Sequence, residues 1–477
     1  MKIGFVSLGC PKNLVDSEVM MGQLVADGHE LTHQPGEADV IVVNTCSFID
    51  PAKQESVDTI LEMAEYKKTG KAQRLVVAGC LVERYREDIR KNLPEVDAVL
   101  GTNELAKITA LCEGLEPKEL APEPYLYHDL TARIFTTPRH SAYIKIAEGC
   151  DHPCSFCIIP QFRGKFRSRR PESVVNEAKR MFASGVREIN LIGQDTTCYG
   201  EDFGLKDGLA DLLARLASIE TDLPKWVRFL YAYPNKVTQK LLDTIAAHES
   251  LVKYIDMPLQ HASAATLKRM KRGANADIFL KLIERIRATI PGVAIRTSMI
   301  VGFPGETEQE FEELCQFVQA AQFDRLGVFS YSDEETSKSF HLENKVDKRT
   351  IYNRRRTLMA LQRRISRARN RKLIGQEFQI LLEGPSKETE LLWEARLSTQ
   401  APEIDGVCYI NDFGNDDEAL PRPGEMRRFR VTEAHDYDLV GALADSPEPR
   451  PLAQAPLAAN PFPILASNSR SSAIPAR

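Results

Sequence analysis

The chain reads as an α/β protein in three parts: an N-terminal doubly wound parallel sheet, a central open (β/α)6 barrel and a small C-terminal antiparallel β-barrel. Three observations predict this. Short apolar runs alternate with helical periodicity through the first hundred residues. From Ala142 the rhythm resumes with longer repeats, giving six βα units rather than the eight of a closed barrel. Residues 375–440 then turn strand-like, with Gly, Pro and Asn at the turns. A length of 477 residues is too great for one ordinary core and agrees with several domains.

The first domain, residues 1–115, holds the apolar runs IGFVSL, DVIVVN and RLVVAG, the first followed by the helical segment DSEVMMGQLVADG. Residues 116–137, with the Pro- and Glu-rich EPKELAPEPYLYHDL, read as a linker or as an irregular surface loop of that domain. The barrel, 138–345, has strand candidates AYIKIAEG, EINLIGQ, WVRFLYAY, VKYIDMPL, AIRTSMIVG and RLGVFSYS. Residues 346–373 form a basic connecting helix with an apolar stripe through Leu358, Leu361 and Ile365. The small barrel spans 374–442, and the Pro-, Ala- and Ser-rich residues 443–477 are expected to be disordered.

Composition narrows the class. With 43% hydrophobic and 27% charged residues the chain is typical of globular proteins. No apolar stretch reaches the roughly 18 residues of a membrane span, and MKIGFVSLGC turns polar too early for a secretory signal. The expected compartment is the cytoplasm, where reducing conditions disfavour structural disulfides. Ten cysteines therefore need another role. Cys112, Cys198, Cys315 and Cys408 read as small buried apolar residues; the other six are patterned. Charge is also unevenly placed. Residues 375–440 carry 15 acidic and 6 basic side chains, a net of −9 against −5 for the whole chain. Lys348–Lys372 holds 11 basic residues and no acidic one.

Cys150, Cys154 and Cys157 form a Cx3CxxC loop directly after the first barrel strand, where parallel βα barrels carry their catalytic groups. Three thiolates turned to one point suit a cubane iron–sulfur cluster and leave one iron without a protein ligand. A structural zinc site prefers four ligands, and no second CxxC pair follows; His152 as the fourth is expected to point outward. A redox CxxC of Cys154 and Cys157 would leave Cys150 idle. Later strand ends carry Gly193-Gln194-Asp195, Pro258-Leu259-Gln260-His261 and Gly302-Phe303-Pro304-Gly305-Glu306-Thr307, each a weak signal by itself.

Cys10, Cys46 and Cys80 lie 36 and 34 residues apart, yet each directly follows one of the three apolar strands. Strand C-termini of a doubly wound sheet converge on a ligand crevice, so a second three-cysteine cluster is expected there. The competing reading is three buried cysteines in a helix–strand seam.

Together LGCPKNLVDSE, the strand ends at Cys46 and Cys80, and EGCDHPCSFCIIPQFRGKFRSR resemble the methylthiotransferases of the radical S-adenosylmethionine superfamily over nearly all of residues 1–440. The resemblance implies a TRAM-like C-terminal barrel and two 4Fe-4S clusters. One, on Cys150, Cys154 and Cys157, would cleave S-adenosylmethionine reductively to a 5′-deoxyadenosyl radical. The other, on Cys10, Cys46 and Cys80, would hold or relay the sulfur. It further implies that Gln194 and Asp195 hold the amino group of the cofactor's methionine, and that Thr297, Ser298, Val301 and Gly302 contact the remainder. Electrons would come from a donor the sequence does not identify. GCLVERY, GQDTTCYG, YIDMPLQHAS and APEIDG resemble the branch that modifies an aspartate β-carbon in protein twelve of the small ribosomal subunit. Two departures from the family pattern are Ala395 before Arg396 and Asp333-Glu334-Glu335-Thr336, both lacking an expected glycine.

Charge supplies an independent argument. A barrel of net −9 repels an RNA backbone and suits a basic ribosomal protein. A transfer RNA methylthiotransferase, the second reading, would need a basic C-terminal barrel. The third, of another class, is a non-catalytic ribosome-associated protein using metal structurally. The basic helix could also meet ribosomal RNA, against its simpler role as a solvated linker.

Overall fold

The computed structural model describes residues 1–115, 125–389, 391–413 and 421–445. The expected disordered tail falls, beyond Asp445, outside the described residues. Five parallel strands form the N-terminal sheet: β1 (Lys2–Ser7), β2 (Glu30–Thr32), β3 (Val40–Thr45), β4 (Arg74–Gly79) and β5 (Ala98–Leu100), in the order β2-β1-β3-β4-β5. Alternate side chains enter two cores. Val6, Ile41, Val43, Leu75 and Val77 pack on one face, and Ile3, Phe5, Val40, Val42 and Val76 on the other. Burial on both faces explains why these strands are unbroken apolar runs. The edge strands β2 and β5, three residues each, are too short to show a periodicity.

The central domain begins with β6 (Ser141–Lys145) and a two-residue ribbon of β7 (Ala147–Glu148) with β8 (Arg167–Ser168). β9 (Glu188–Ile192), β10 (Trp226–Phe229), β11 (Tyr254–Asp256), β12 (Ala294–Val301) and β13 (Arg325–Ser330) complete it. β6, β9 and β10 pair in parallel, as do β11, β12 and β13, and a parallel bridge from Val227 to Leu251 links the halves. This is the expected six-unit open barrel. Residues 125–137, expected as linker, are instead a packed strap: Tyr127 is buried and Arg133 pairs with Glu18 at 2.6 Å and Glu177 at 2.9 Å. The Pro and Glu residues of the expected linker lie in 116–124, outside the described residues, and one buried guanidinium decides the path of 125–137.

The helix Lys348–Arg371 buries Leu358, Leu361 and Ile365 against the barrel and leads to β14 (Glu377–Pro385), β15 (Trp393–Leu397), β16 (Cys408–Asp412), β17 (Met426–Ala434) and β18 (Leu439–Leu443). These close in the order β14-β15-β16-β18-β17. Four seams are antiparallel as expected, but β16 and β18 run parallel. Ala395 is fully buried in β15, paired with Cys408 on one side and with Leu382, beside a bulge of β14, on the other.

This small barrel closes the N-terminal mouth of the central one. Leu381, Ala401 and Met426 pack on Trp226, Tyr254 and Ala294, the first residues of β10, β11 and β12. Arg396 reaches across to Glu188 at 2.6 Å while also holding Glu383, and Arg228 meets Glu188 at 3.0 Å. Burial raises the Glu188 carboxyl, yet the two guanidiniums hold it down to about 2. Asp405 accepts from the Tyr254 hydroxyl at 2.7 Å and from the Ala401 amide, which seats the APEIDG turn. Removing one partner from such a site leaves buried charges unmatched. Glu188→Ala is expected to destabilise the protein by about 3–5 kcal/mol, read as a lower urea midpoint.

Candidate functional site

β1, β3 and β4 are neighbours in the sheet, so residues far apart in sequence leave it side by side. Cys10 precedes the helix Pro11–Ala26, Cys46 follows β3, and Cys80 opens the helix Cys80–Asn92 after β4. Their loops are fixed by side chains. Asn13 donates to Leu8 O at 2.7 Å and Thr45 O at 3.2 Å, Asn44 donates to Asn13 O, and Ser47 donates to Cys80 O. Gly9, at φ +87°, lets the chain pass Cys46: a Cβ there would lie 2.8 Å from the Cys46 Cβ. Burial pushes the Cys46 thiol up to about 12, with the neighbouring Cys10 and Cys80 adding to the rise. Cys80 is raised to about 11 by burial, against the pull of Arg163, whose Nη2 lies 3.1 Å from its Sγ.

The second triad lies on the loop after β7. Gly149, at φ +81°, brings that loop against Lys165, whose carbonyl would sit 2.2 Å from an added Cβ. Ser155 pins the loop to Arg269 and Met270, and Arg272 donates to Cys154 Sγ at 3.6 Å. Burial raises Cys150 to about 11 and Cys157 to about 12, each also feeling the other thiols of the loop. Gly–Cys recurs at Gly9-Cys10, Gly79-Cys80 and Gly149-Cys150, a sequence signal common to both triads.

One short helix, Ile159–Arg163, joins the two triads. It starts two residues after Cys157, packs Ile158, Ile159 and Phe162 on Cys80, and ends in the arginine that touches Cys80. Arg163 and Lys145 each pair with both Asp16 and Glu148, all four buried. Although burial raises Glu148, Lys145 and Arg163 hold its carboxyl down to about 2.

Gln194 and Asp195 follow β9 and reach this loop. Gln194 Nε2 donates to Glu148 at 2.5 Å and its Oε1 is buried without a partner. Asp195 accepts from Thr197 and meets His152 Nε2 at 2.5 Å; despite burial, these bonds keep it below the usual carboxylate range. His152 therefore does not point outward: it stacks on Tyr233 with ring centroids 3.7 Å apart. Cys198, expected to be a bland apolar residue, donates to Asp195 at 3.1 Å. Among the described residues, His152, Asp195 and Cys198 form the one set of three ligand atoms all within 4.8 Å of each other. Neither cysteine triad brings its three sulfurs within that limit.

Thr297, Ser298 and Val301 lie on β12, and Gly302 follows it. The Thr297 hydroxyl bridges Met257 O and Leu259 N, and Ser298 O accepts from Gln260 N, so both hold the loop after β11. Val301 is buried, and Gly302 N donates to Glu306 at 2.6 Å. His261 is fully buried and burial lowers it to about 3, which makes it a neutral core residue. Glu334, in the segment lacking the expected glycine, is buried against Arg84 at 2.6 Å and Lys53 at 3.1 Å, tying the two domains.

Residues 2–101 match the family described as Uncharacterized protein family UPF0004, residues 144–318 the Radical SAM superfamily, and residues 374–443 the TRAM domain. A protein of Solibacter usitatus (strain Ellin6076), described as ribosomal protein uS12 methylthiotransferase RimO, is 73% identical over 455 residues, covering 95% of this chain and 97% of its own. The chain belongs to the RimO family. It is a transferase of the radical S-adenosylmethionine type, and the family brings an iron–sulfur cluster and S-adenosylmethionine. A RimO relative from Koribacter versatilis (strain Ellin345) is 58% identical, covering 93% of this chain and 96% of its own. The radical S-adenosylmethionine methyltransferase TsrM from Kitasatospora setae, solved with cobalamin and a [4Fe-4S] cluster, shares the fold at a TM-score of 0.51 and 14% identity, covering 69% of this chain and 74% of that one.

Thiols raised by burial are protonated at neutral pH, so loading RimO-family cysteines with metal displaces protons. Iron and sulfide uptake by the metal-free chain is expected to release protons and to weaken as pH falls from 9 to 7, measured by iron content after desalting.

Proposed function

We propose that this chain inserts a methylthio group at the β-carbon of an aspartate in ribosomal protein uS12, using two 4Fe-4S clusters. Cys150, Cys154 and Cys157 hold one, and Cys10, Cys46 and Cys80 the other. The observation that carries this reading is the meeting of two separate cysteine triads on either side of Ile159–Arg163. The donor sets fit: each is three thiols, buried or half-buried, with one arginine facing a sulfur. When bound, the clusters and S-adenosylmethionine supply hydrogen-atom abstraction and a sulfur donor, which no acid–base group can provide at an unactivated carbon.

The protein's own residues bind, orient and exclude water. Gln194 and Asp195 face the Cys150 loop and take the cofactor's methionine end; the unpartnered Gln194 Oε1 is an acceptor for its amino group. Thr297, Ser298, Val301 and Gly302 shape the wall toward the rest of the cofactor. The relatives named for uS12 support the protein substrate, and so does the acidic C-terminal barrel. A transfer RNA substrate has no basic barrel to bind it, and a structural-metal role leaves two three-thiol sites unexplained. Exposed Arg356, Arg364 and Arg371 on the connecting helix offer ribosomal RNA a secondary contact. The reaction takes place in the cytoplasm, where the ribosomal substrate is, with electrons from a separate reductant. Among the described residues no helix is long and apolar enough to cross a membrane.

Anaerobic incubation with S-adenosylmethionine, reductant and uS12 should add a methylthio mass to one aspartate; gain on transfer RNA alone would replace this reading with the second. Cys154→Ala should lose about four irons per chain and all S-adenosylmethionine cleavage. Cys46→Ala should lose a similar amount of iron yet keep cleavage. Zinc in place of iron would overturn the enzyme reading.

A further inference from the structure

Three lysines are buried among the described residues: Lys12, Lys145 and Lys225. Lys145 is paired with Asp16 and Glu148, and Lys225 donates to the Ile219 carbonyl. Lys12 differs. It is 8% exposed, and among the described residues its ammonium makes neither a hydrogen bond nor an ion pair. Its one contact of note is with the Tyr231 ring, 3.0 Å from Nζ to the centroid. The stem of Lys12 is buried while its ammonium, seated on the ring face, stays open on its outer side, so it is placed to take an anion.

Its place is informative. Lys12 lies two residues beyond Cys10, and Tyr231 lies two residues beyond the end of β10, at the mouth where the other strand ends gather. Lys12 thus bridges the N-terminal triad and the barrel opening. Tyr231 is held in a costly backbone conformation, φ +66°, with its amide donating to Asp256 at 3.0 Å. The ring platform is fixed, and the cation above it is directed by it.

We propose that Lys12 receives the side-chain carboxylate of the substrate aspartate. The inference rests on the protein-aspartate reading above and names how that residue is recognised. In aspartate the reacting β-carbon is bonded directly to the carboxylate carbon. A charge-assisted pair with Lys12 therefore fixes the reacting atom to within two bonds of the oxygen that Lys12 holds. Glutamate places its carboxylate one carbon farther away, and a nucleoside offers none, so the same contact selects the substrate.

The test measures binding of uS12 to the cluster-loaded enzyme under anaerobic conditions, with either aspartate or asparagine at the modified position. The native enzyme should bind the aspartate form about tenfold more tightly. Lys12→Met, which keeps contact with the ring, should bind both forms alike, and Lys12→Arg should keep the preference. Iron content of each variant checks that the N-terminal triad still assembles. A Lys12→Met enzyme that still prefers aspartate, or a Lys12→Arg enzyme that loses the preference as fully as Lys12→Met, overturns the assignment. A native enzyme that modifies uS12 yet binds both forms equally also overturns it, with the parent reading intact. One that modifies only RNA overturns both.

Discussion

Four buried charges hold the two halves of the site at one spacing. Asp16 stands on the helix that begins after Cys10, Lys145 ends β6, Glu148 lies two residues before Cys150, and Arg163 ends the helix that follows Cys157. Two carboxylates and two cations bond crosswise, so the set is neutral and each charge has two opposite partners. Desolvation of such a set is compensated only while all four remain. Asn13 and Gln194 take up further donors and acceptors at its edges. Because these charges lie on the segments flanking Cys10 and the Cys150–Cys157 loop, neither segment shifts against the other without breaking an ion pair. The spacing of the two cysteine triads is thus an electrostatic property of residues outside both.

The rest of the architecture follows from keeping this cluster buried. Strand ends of both parallel domains point to it, and the loops at those ends carry the six cysteines. The opposite mouth of the open barrel would expose the starts of β10, β11 and β12. The C-terminal barrel covers them with Leu381, Ala401 and Met426, and with Arg396 set between Glu188 and Glu383. Chemistry sits at one end and a second buried ionic joint at the other. The six-stranded wall between them is packed largely with apolar side chains, with Arg296 paired to Asp256 between β12 and β11.

Much of this was legible in the sequence, for identifiable reasons. The apolar runs of β1, β3 and β4 announce a sheet buried on both faces, and a cysteine at each exit puts three thiols at one end of that sheet. What stayed hidden depends on partners far along the chain. Lys145 meets Asp16 across 129 residues, and Arg133 meets Glu18 across 115. No periodicity encodes such pairs, so the strap at 125–137 read as a linker. His152 was misjudged because a tight loop was assumed to turn its polar residue to water, whereas Asp195 and Tyr233 capture the ring. The parallel seam of β16 with β18 was hidden because alternation reveals a strand but not its neighbour.

The acidic balance of the C-terminal barrel also gains a stricter meaning from the structure. A count of charges over residues 375–440 includes groups turned inward, such as Glu383, Arg396 and Asp405. Neutral internal pairs remove one charge of each sign and leave the net unchanged. Arg396 is different, because it also serves Glu188 of the central barrel. That joint takes a cation out of the small barrel's outward balance and gives it to a carboxylate elsewhere. Asp405 does the reverse, facing Arg296 of the central barrel at 3.8 Å, so the two joints together leave the small barrel's net charge as acidic as its sequence makes it. A basic protein segment gains from that field at encounter, while a polyphosphate chain is turned away at the same range.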